Sequence, residues 1–176
     1  MSGGLDSTAN LGILLKEFRL RVYPFFINRG QGALKRERAA VKFFDKFYHK
    51  RFPNQYNKCI EIKITTSAKE YKNLLRKTKK QMTDIRLMQN ISYPARNPII
   101  FLTGAEYAYS LKAIGENIST IFASHVSSDS SFHCSLTWTR IMNVLMCQIF
   151  NNWEFQFISL PIEIEFGNYY DKDVYM

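Results

Sequence analysis

The chain has 176 residues, a formal net charge of +9, 46% apolar residues and 15% aromatic ones. That length and apolar content suit one folded domain and exclude a disordered chain, while the charge favours polyanions, either nucleotides or nucleic acid, without separating them. No run approaches the roughly 18 apolar residues of a membrane span, and no basic region followed by an apolar core opens the chain as in a secretory signal.

In chain order, Ser2–Ser7 leads into an amphipathic helix with Leu11, Leu14, Leu15 and Phe18 on its apolar side. Arg21–Asn28, carrying Val22, Phe25, Phe26 and Ile27, is predicted as a buried strand. Leu34, Val41, Phe44 and Phe47 mark a helix running to about Arg51, where Pro53 ends it. A strand is expected over Cys59–Ile64, then a helix over Ser67–Met82 with Tyr71, Leu74, Leu75 and Met82 inward. Its other face, from Lys69 to Lys80, is either the wet side of the helix or a track for nucleic-acid phosphates. Asn97–Ile114 is read as a helix with Ile100, Ala108 and Leu111 in line. A strand over Ile118–Ser124, a polar loop to about Ser135, a helix over Thr137–Phe150 and a strand over Phe155–Leu160 complete the pattern. Short β-branched and aromatic runs alternating with helical periodicity indicate an α/β fold with parallel strands and crossover helices.

The cysteines Cys59, Cys134 and Cys147 are odd in number and form no Cys-x-x-Cys pair, so neither a disulfide framework nor a zinc ribbon is expected, and a cytoplasmic location is. His49 lies in a basic run and reads as solvated, whereas His125 and His133 flank the polar loop as hydrogen-bonding or proton-transfer groups. The aromatics Tyr107, Tyr109, Phe150 and Trp153 are expected to fill core.

Three stretches carry the chemistry. Ser2, Gly3, Gly4, Leu5, Asp6, Ser7 and Thr8 place two glycines, three hydroxyls and a carboxylate at the start of a helix. Glycine allows close backbone approach to a phosphate, and the free N–H groups and positive dipole end of the helix supply donors. An ordinary Gly-rich turn capped by Ser7 or Asp6 is the alternative. Gly30 and Gln31 follow the first strand and precede a helix bearing Glu37, where a simple turn competes with an active-site loop. Tyr93-Pro94-Ala95-Arg96-Asn97 opens another helix, with Asn97 as a cap and the Arg96 guanidinium suited to phosphate or carboxylate.

The first stretch resembles the Ser-Gly-Gly-x-Asp-Ser loop of the ATP pyrophosphatases. Taken in order, all three, with Glu37 and the segment from Asp129 to Cys134, resemble the 7-cyano-7-deazaguanine synthase family of that class. The resemblance implies a Rossmann-like, three-layer adenine nucleotide α hydrolase (PP-loop) fold with a mostly parallel sheet, formed by residues 1–176 as a single domain incomplete at both ends. It implies an ATP-dependent, AMP-forming ligase that adenylates a carboxylate on a 7-deazapurine-like substrate before a nitrogen nucleophile attacks. By the same resemblance Ser2–Thr8, Arg96 and Asn97 bind ATP, Asp6 lies by a magnesium ion, and Gly30, Gln31 and Asp129 meet the substrate. Asp6, Arg96 and Asp129 then form the catalytic set.

Where the family has a Ser-Gly-Tyr-Pro-Asp-Cys-Arg run, this chain reads Ser130-Ser131-Phe132-His133-Cys134-Ser135, and the family's four-cysteine zinc site has no counterpart after Cys147. Those departures suit a divergent branch, such as members in antiviral defence, better than queuosine biosynthesis. The alternative is a catalytically inactive or fragmentary nucleotide-fold domain that acts as a nucleic-acid or protein binding subunit, with a homodimer or a partner subunit as its assembly. One strand is absent from the pattern, because only Met1 precedes a loop that normally follows a central strand. The expectation is an N-terminally truncated gene product or a strand donated by another chain.

Overall fold

The structure, a computed structural model, describes residues 1–64, 96–124 and 135–160. The expected helix Ser67–Met82 and the residues Tyr93, Pro94, His125, Asp129, His133 and Cys134 lie outside the described residues. The elements are α1 (Leu5–Lys16), β1 (Phe25–Asn28), α2 (Leu34–Arg51), β2 (Ile60–Lys63), α3 (Arg96–Ala113), β3 (Thr120–Ala123), α4 (Leu136–Ile149) and β4 (Gln156–Ser159). The described fold is thus α/β, as expected, with parallel strands in two small sheets. β1 pairs with β2, Phe25 opposite Ile60 and Asn28 opposite Lys63, and β3 pairs with β4, Thr120 opposite Gln156 and Ala123 opposite Ser159.

The strands are shorter than the apolar runs that announce them. Pro24 has no N–H to donate, so the first run reaches the sheet as an isolated bridge of Val22 with Tyr56, then as the strand proper from Phe25. α2 ends at Arg51, two residues before Pro53, as the sequence indicates. At the start of α4 the Ser135 hydroxyl accepts from the Trp138 N–H at 3.2 Å, a capping contact that satisfies one orphan donor of the first turn.

Each half of the molecule has its own apolar cluster. In one, Phe101, Ala105 and Ala108 of α3 meet Ile121, Phe157 and the inner face of α4, with Trp138, Met142 and Met146 buried. In the other, Leu11 and Leu15 of α1 pack on Tyr48 and Tyr56, with Val22, Phe44 and Phe52 alongside. Four aromatic positions differ from expectation. Phe18 is exposed because α1 ends before it and the chain turns at Arg19, whose φ is +53°. Phe47 is exposed because the buried line of α2 runs from Val41 to Tyr48, seven residues on. Tyr109 and Trp153 are also exposed, Tyr109 stacking along the side of Phe150 and Trp153 sitting in the turn before β4.

α1 is tied to both halves. The Tyr48 hydroxyl donates to the Thr8 carbonyl at 2.8 Å, passing Gly12 so closely that a Cβ there would lie 3.2 Å from the oxygen. On its other side, Asn10 donates through Nδ2 to the Ala123 carbonyl at 2.8 Å and to the Ser124 hydroxyl at 3.3 Å. Arg21 and Glu116 form an ion pair at 3.1 Å between the segments leading to β1 and β3.

Tyr48→Phe is expected to lower stability by about 1–2 kcal/mol in urea denaturation, the net worth of one buried hydrogen bond. Tyr56 is buried and donates to the Asp45 carboxylate at 2.9 Å; burial first, then that bond, raise its pKa above the ordinary tyrosine range. The folded state therefore holds this proton more tightly than the unfolded chain, so the contribution is complete below pH about 10 and is lost as pH rises above it. Denaturation midpoints followed from neutral to strongly alkaline pH should fall less steeply in Tyr56→Phe than in the parent. A residual fall is expected from Tyr48, whose pKa burial also raises.

Candidate functional site

The turn before α1 is built around two glycines with different duties. Gly3 has φ +76°, and a Cβ on it would stand 2.6 Å from the Ala40 Cβ and 3.1 Å from the Val41 nitrogen. Any other residue would be strained in the left-handed region and would collide with α2. Gly4, in extended geometry, is the N-cap residue and has no side chain to bond the first turn. The first intrahelical bond runs from Thr8 N to Gly4 O at 3.1 Å, so the N–H groups of Leu5, Asp6 and Ser7 precede the helical ladder.

The hydroxyls of the turn bond to one another and to its backbone. Ser2 Oγ lies 3.0 Å from Ser7 Oγ and accepts from Gly4 N at 3.3 Å. Ser7 Oγ takes the Ser2 N–H at 3.1 Å and donates to Gly4 O at 3.1 Å, while Thr8 Oγ1 donates to Gly4 O at 2.8 Å. Ser7 and Asp6 are half-buried and Ser2 is exposed. Among the described residues, no ion pair or side-chain hydrogen bond engages the Asp6 carboxylate. The turn therefore presents three helix-terminal N–H groups, the positive end of a dipole and one available carboxylate, the donor set for an anion with its counter-cation.

The second candidate loop follows β1. Gly30 has φ +70° and open space where its side chain would be, so only its backbone conformation requires glycine. Gln31 turns inward: its Nε2 donates to Ile27 O at 3.1 Å and to Glu37 at 2.6 Å, and its Oε1 accepts from Arg29 N at 3.0 Å. That side chain braces its own loop against α2. Glu61 similarly receives Arg38 and Asn28, the latter at 2.7 Å, and these two bonds lower its pKa.

Arg96 and Asn97 open α3, so Asn97 is the second helical residue and not the cap, and its side chain is buried. Asp129 lies outside the described residues. The structure thus brings Ser2–Thr8 together in one turn, with Gly30 and Gln31 in a separate loop on the way into α2, the helix that Gly3 touches. Cys59 is half-buried, and burial pushes its thiol pKa up to about 11, which keeps it protonated and a poor nucleophile at neutral pH.

Sequence reasoning missed Asn10 and Tyr48, the two residues that hold the turn in place. Asn10 did leave a signal, as a polar residue four positions before Leu14 and beside Leu11 on the apolar side of α1. Tyr48 was concealed by Phe43, Phe44 and Phe47, which offer the same bulk at neighbouring helical phases. Among the described residues no group of three or more metal-ligating side chains occurs, and no helix is long and apolar enough to cross a membrane. A scan of protein-family models and searches of curated proteins and of solved structures found no match to this chain.

Proposed function

We propose that the chain is an AMP-forming, ATP-dependent ligase with a Rossmann-like PP-loop fold, and that the Ser2–Ser7 turn holds the β and γ phosphates. The observation that carries this reading is Gly3, whose left-handed backbone and contact with α2 set the turn against the helix start, leaving the Leu5, Asp6 and Ser7 N–H groups before the helical ladder. A turn needing only a helix cap has no use for a glycine pressed this closely on a second helix.

The substrate is a carboxylate on a 7-deazapurine-like ring, following the resemblance of the three sequence stretches. Its oxygen attacks the α phosphorus, the bond from that phosphorus to the bridging oxygen breaks, and pyrophosphate leaves with the electron pair. A nitrogen nucleophile then attacks the acyl carbon and AMP departs. The turn's N–H groups and the α1 dipole stabilise charge gathering on the departing pyrophosphate. Asp6, with its available carboxylate, would hold the magnesium ion that accompanies the triphosphate; such an ion needs one or two carboxylates besides phosphate oxygens and water. Arg96 and Asn97 would bind the nucleotide, Gly30 would give the substrate backbone contacts, and Asp129 would face the deazapurine. Gln31 would act by bracing that loop.

Release of AMP and pyrophosphate from magnesium-ATP by the purified chain, with a 7-carboxy-7-deazapurine and ammonia supplied, tests the reading. Asp6→Asn and Ser7→Ala should each reduce release by about a hundredfold or more, the scale of losing one charge-stabilising contact of about 3 kcal/mol. Equal release from parent and both variants would overturn catalysis at this turn. Gly3→Ala should weaken magnesium-ATP binding in calorimetry and cost about 1–3 kcal/mol of stability, the scale of one strained backbone position.

A further inference from the structure

The outer face of α2 combines positive charge with exposed aromatic rings. Seven of its 18 residues are Lys or Arg and two are acidic, and both carboxylates are engaged within the fold. Glu37 accepts from Gln31 Nε2 at 2.6 Å, and Asp45 accepts from the Tyr56 hydroxyl at 2.9 Å and from Cys59 N at 2.8 Å. Arg38 is taken by Glu61. The remaining cations, Lys35, Arg36, Lys42, Lys46, Lys50 and Arg51, are all exposed, and among the described residues none of them pairs with a carboxylate. The charge left on this face is wholly positive.

Helical spacing sets these residues in two adjoining ridges. Lys42, Lys46 and Lys50 follow one another at intervals of four, with Lys35 one heptad before Lys42, so the lysines share one ridge. The next residue in each case gives Arg36, Phe43, Phe47 and Arg51, a second ridge beside the first. Each ridge runs about 22 Å along α2, away from the buried line of Val41 and Tyr48. Phe43 and Phe47 are 64% and 47% exposed, and each is steadied by a T-shaped contact with the ring that follows it, Phe44 or Tyr48, at 5.2 Å between centroids.

A single-stranded nucleic acid offers the matching pair of features, a row of phosphates and a row of open base faces. Lysines suit the first, and aromatic rings or guanidinium planes suit the second. Ring positions four residues apart on a helix stand about 5–6 Å from one another, whereas bases in a duplex are stacked at about 3.4 Å with their faces covered. An anionic bilayer fits less well, because two half-exposed rings bring less apolar area than one acyl chain, which by itself anchors only marginally. A face kept only for solubility mixes both signs of charge. We propose that this face of α2 binds single-stranded nucleic acid, with the lysine ridge along the backbone, Phe43 and Phe47 under two successive bases, and Arg36 and Arg51 at the two ends. Phosphate charge and base faces carry the recognition, so it is indifferent to sequence and sugar. None of the residues assigned to ATP takes part, so binding needs no ATP.

Fluorescence anisotropy of a labelled oligothymidylate of about twelve nucleotides, titrated with the full chain without ATP over a range of salt, tests this. The logarithm of the association constant should fall against the logarithm of salt with a slope of about −3, the value for four phosphate contacts on a single strand. Lys42→Gln combined with Lys46→Gln should flatten that slope by about 1.4. Phe43→Leu combined with Phe47→Leu should weaken binding about tenfold or more at an unchanged slope, because leucine keeps apolar bulk and loses the flat face. A duplex of the same length should compete about tenfold less well than the single strand. Absence of binding overturns the proposal, and so does a duplex that competes equally. Losses under about twofold in both variants also overturn it, assigning the affinity to charge elsewhere in the chain. Vesicles containing phosphatidylserine form a further arm: sedimentation with them that the phenylalanine variant abolishes, without oligonucleotide binding, overturns it in favour of a membrane. If circular dichroism shows that the phenylalanine variant is unfolded, the lysine variant decides, and an unchanged slope overturns the proposal.

Discussion

The buried bond from the Tyr48 hydroxyl to the Thr8 carbonyl fixes α1 on α2, and the rest of the arrangement depends on that attachment. It lies one turn from the start of α1, so it settles where the first-turn N–H groups stand. Two glycines permit the approach: Gly12 admits the tyrosine ring end across α1, and Gly3 lets the preceding turn lie against Ala40. On the opposite side Asn10 reaches Ala123, which places the start of α1 beside the C-terminal end of β3. That is where open α/β sheets gather their ligand-binding loops.

Charge contributes little to holding this fold despite its excess over the whole chain. The ion pairs among the described residues, Lys16 with Glu17, Arg21 with Glu116, Arg38 with Glu61 and Lys112 with Glu154, all involve exposed or half-exposed side chains. Such pairs contribute little each and are screened by salt. Cohesion comes from the two apolar clusters and from buried polar bonds such as Tyr56 with Asp45, whose carboxylate also accepts from Cys59 N at 2.8 Å. α4 departs from simple amphipathicity: Met142 and Met146 enter the core, while Ile141, Val144, Leu145 and Ile149 remain exposed.

The alternation of strands and helices was legible in the sequence because period and breaker residues act locally: Pro53 beyond α2 and the apolar run ending at Asn28 needed no tertiary knowledge. Inward and outward aromatics were less legible, since Phe47 and Tyr48 differ by only one helical position and packing against α1 selects the second. The glycines of the first turn were visible as a motif, but their unequal roles were not, because the demand on Gly3 comes from Ala40, thirty-seven positions away. Gln31 shows the same limit. The family resemblance implies a substrate contact for it, and nothing in its sequence surroundings announces the bonds its amide makes with Ile27, Arg29 and Glu37.

The two tryptophans of the chain, Trp138 in the core and Trp153 at 64% exposure, both belong to the α3 and α4 half. Intrinsic tryptophan emission is consequently blind to the half that carries the glycine turn. An optical melt watched at those wavelengths follows one cluster only, and opening of α1 from α2 must be seen through tyrosine or through a label placed for the purpose.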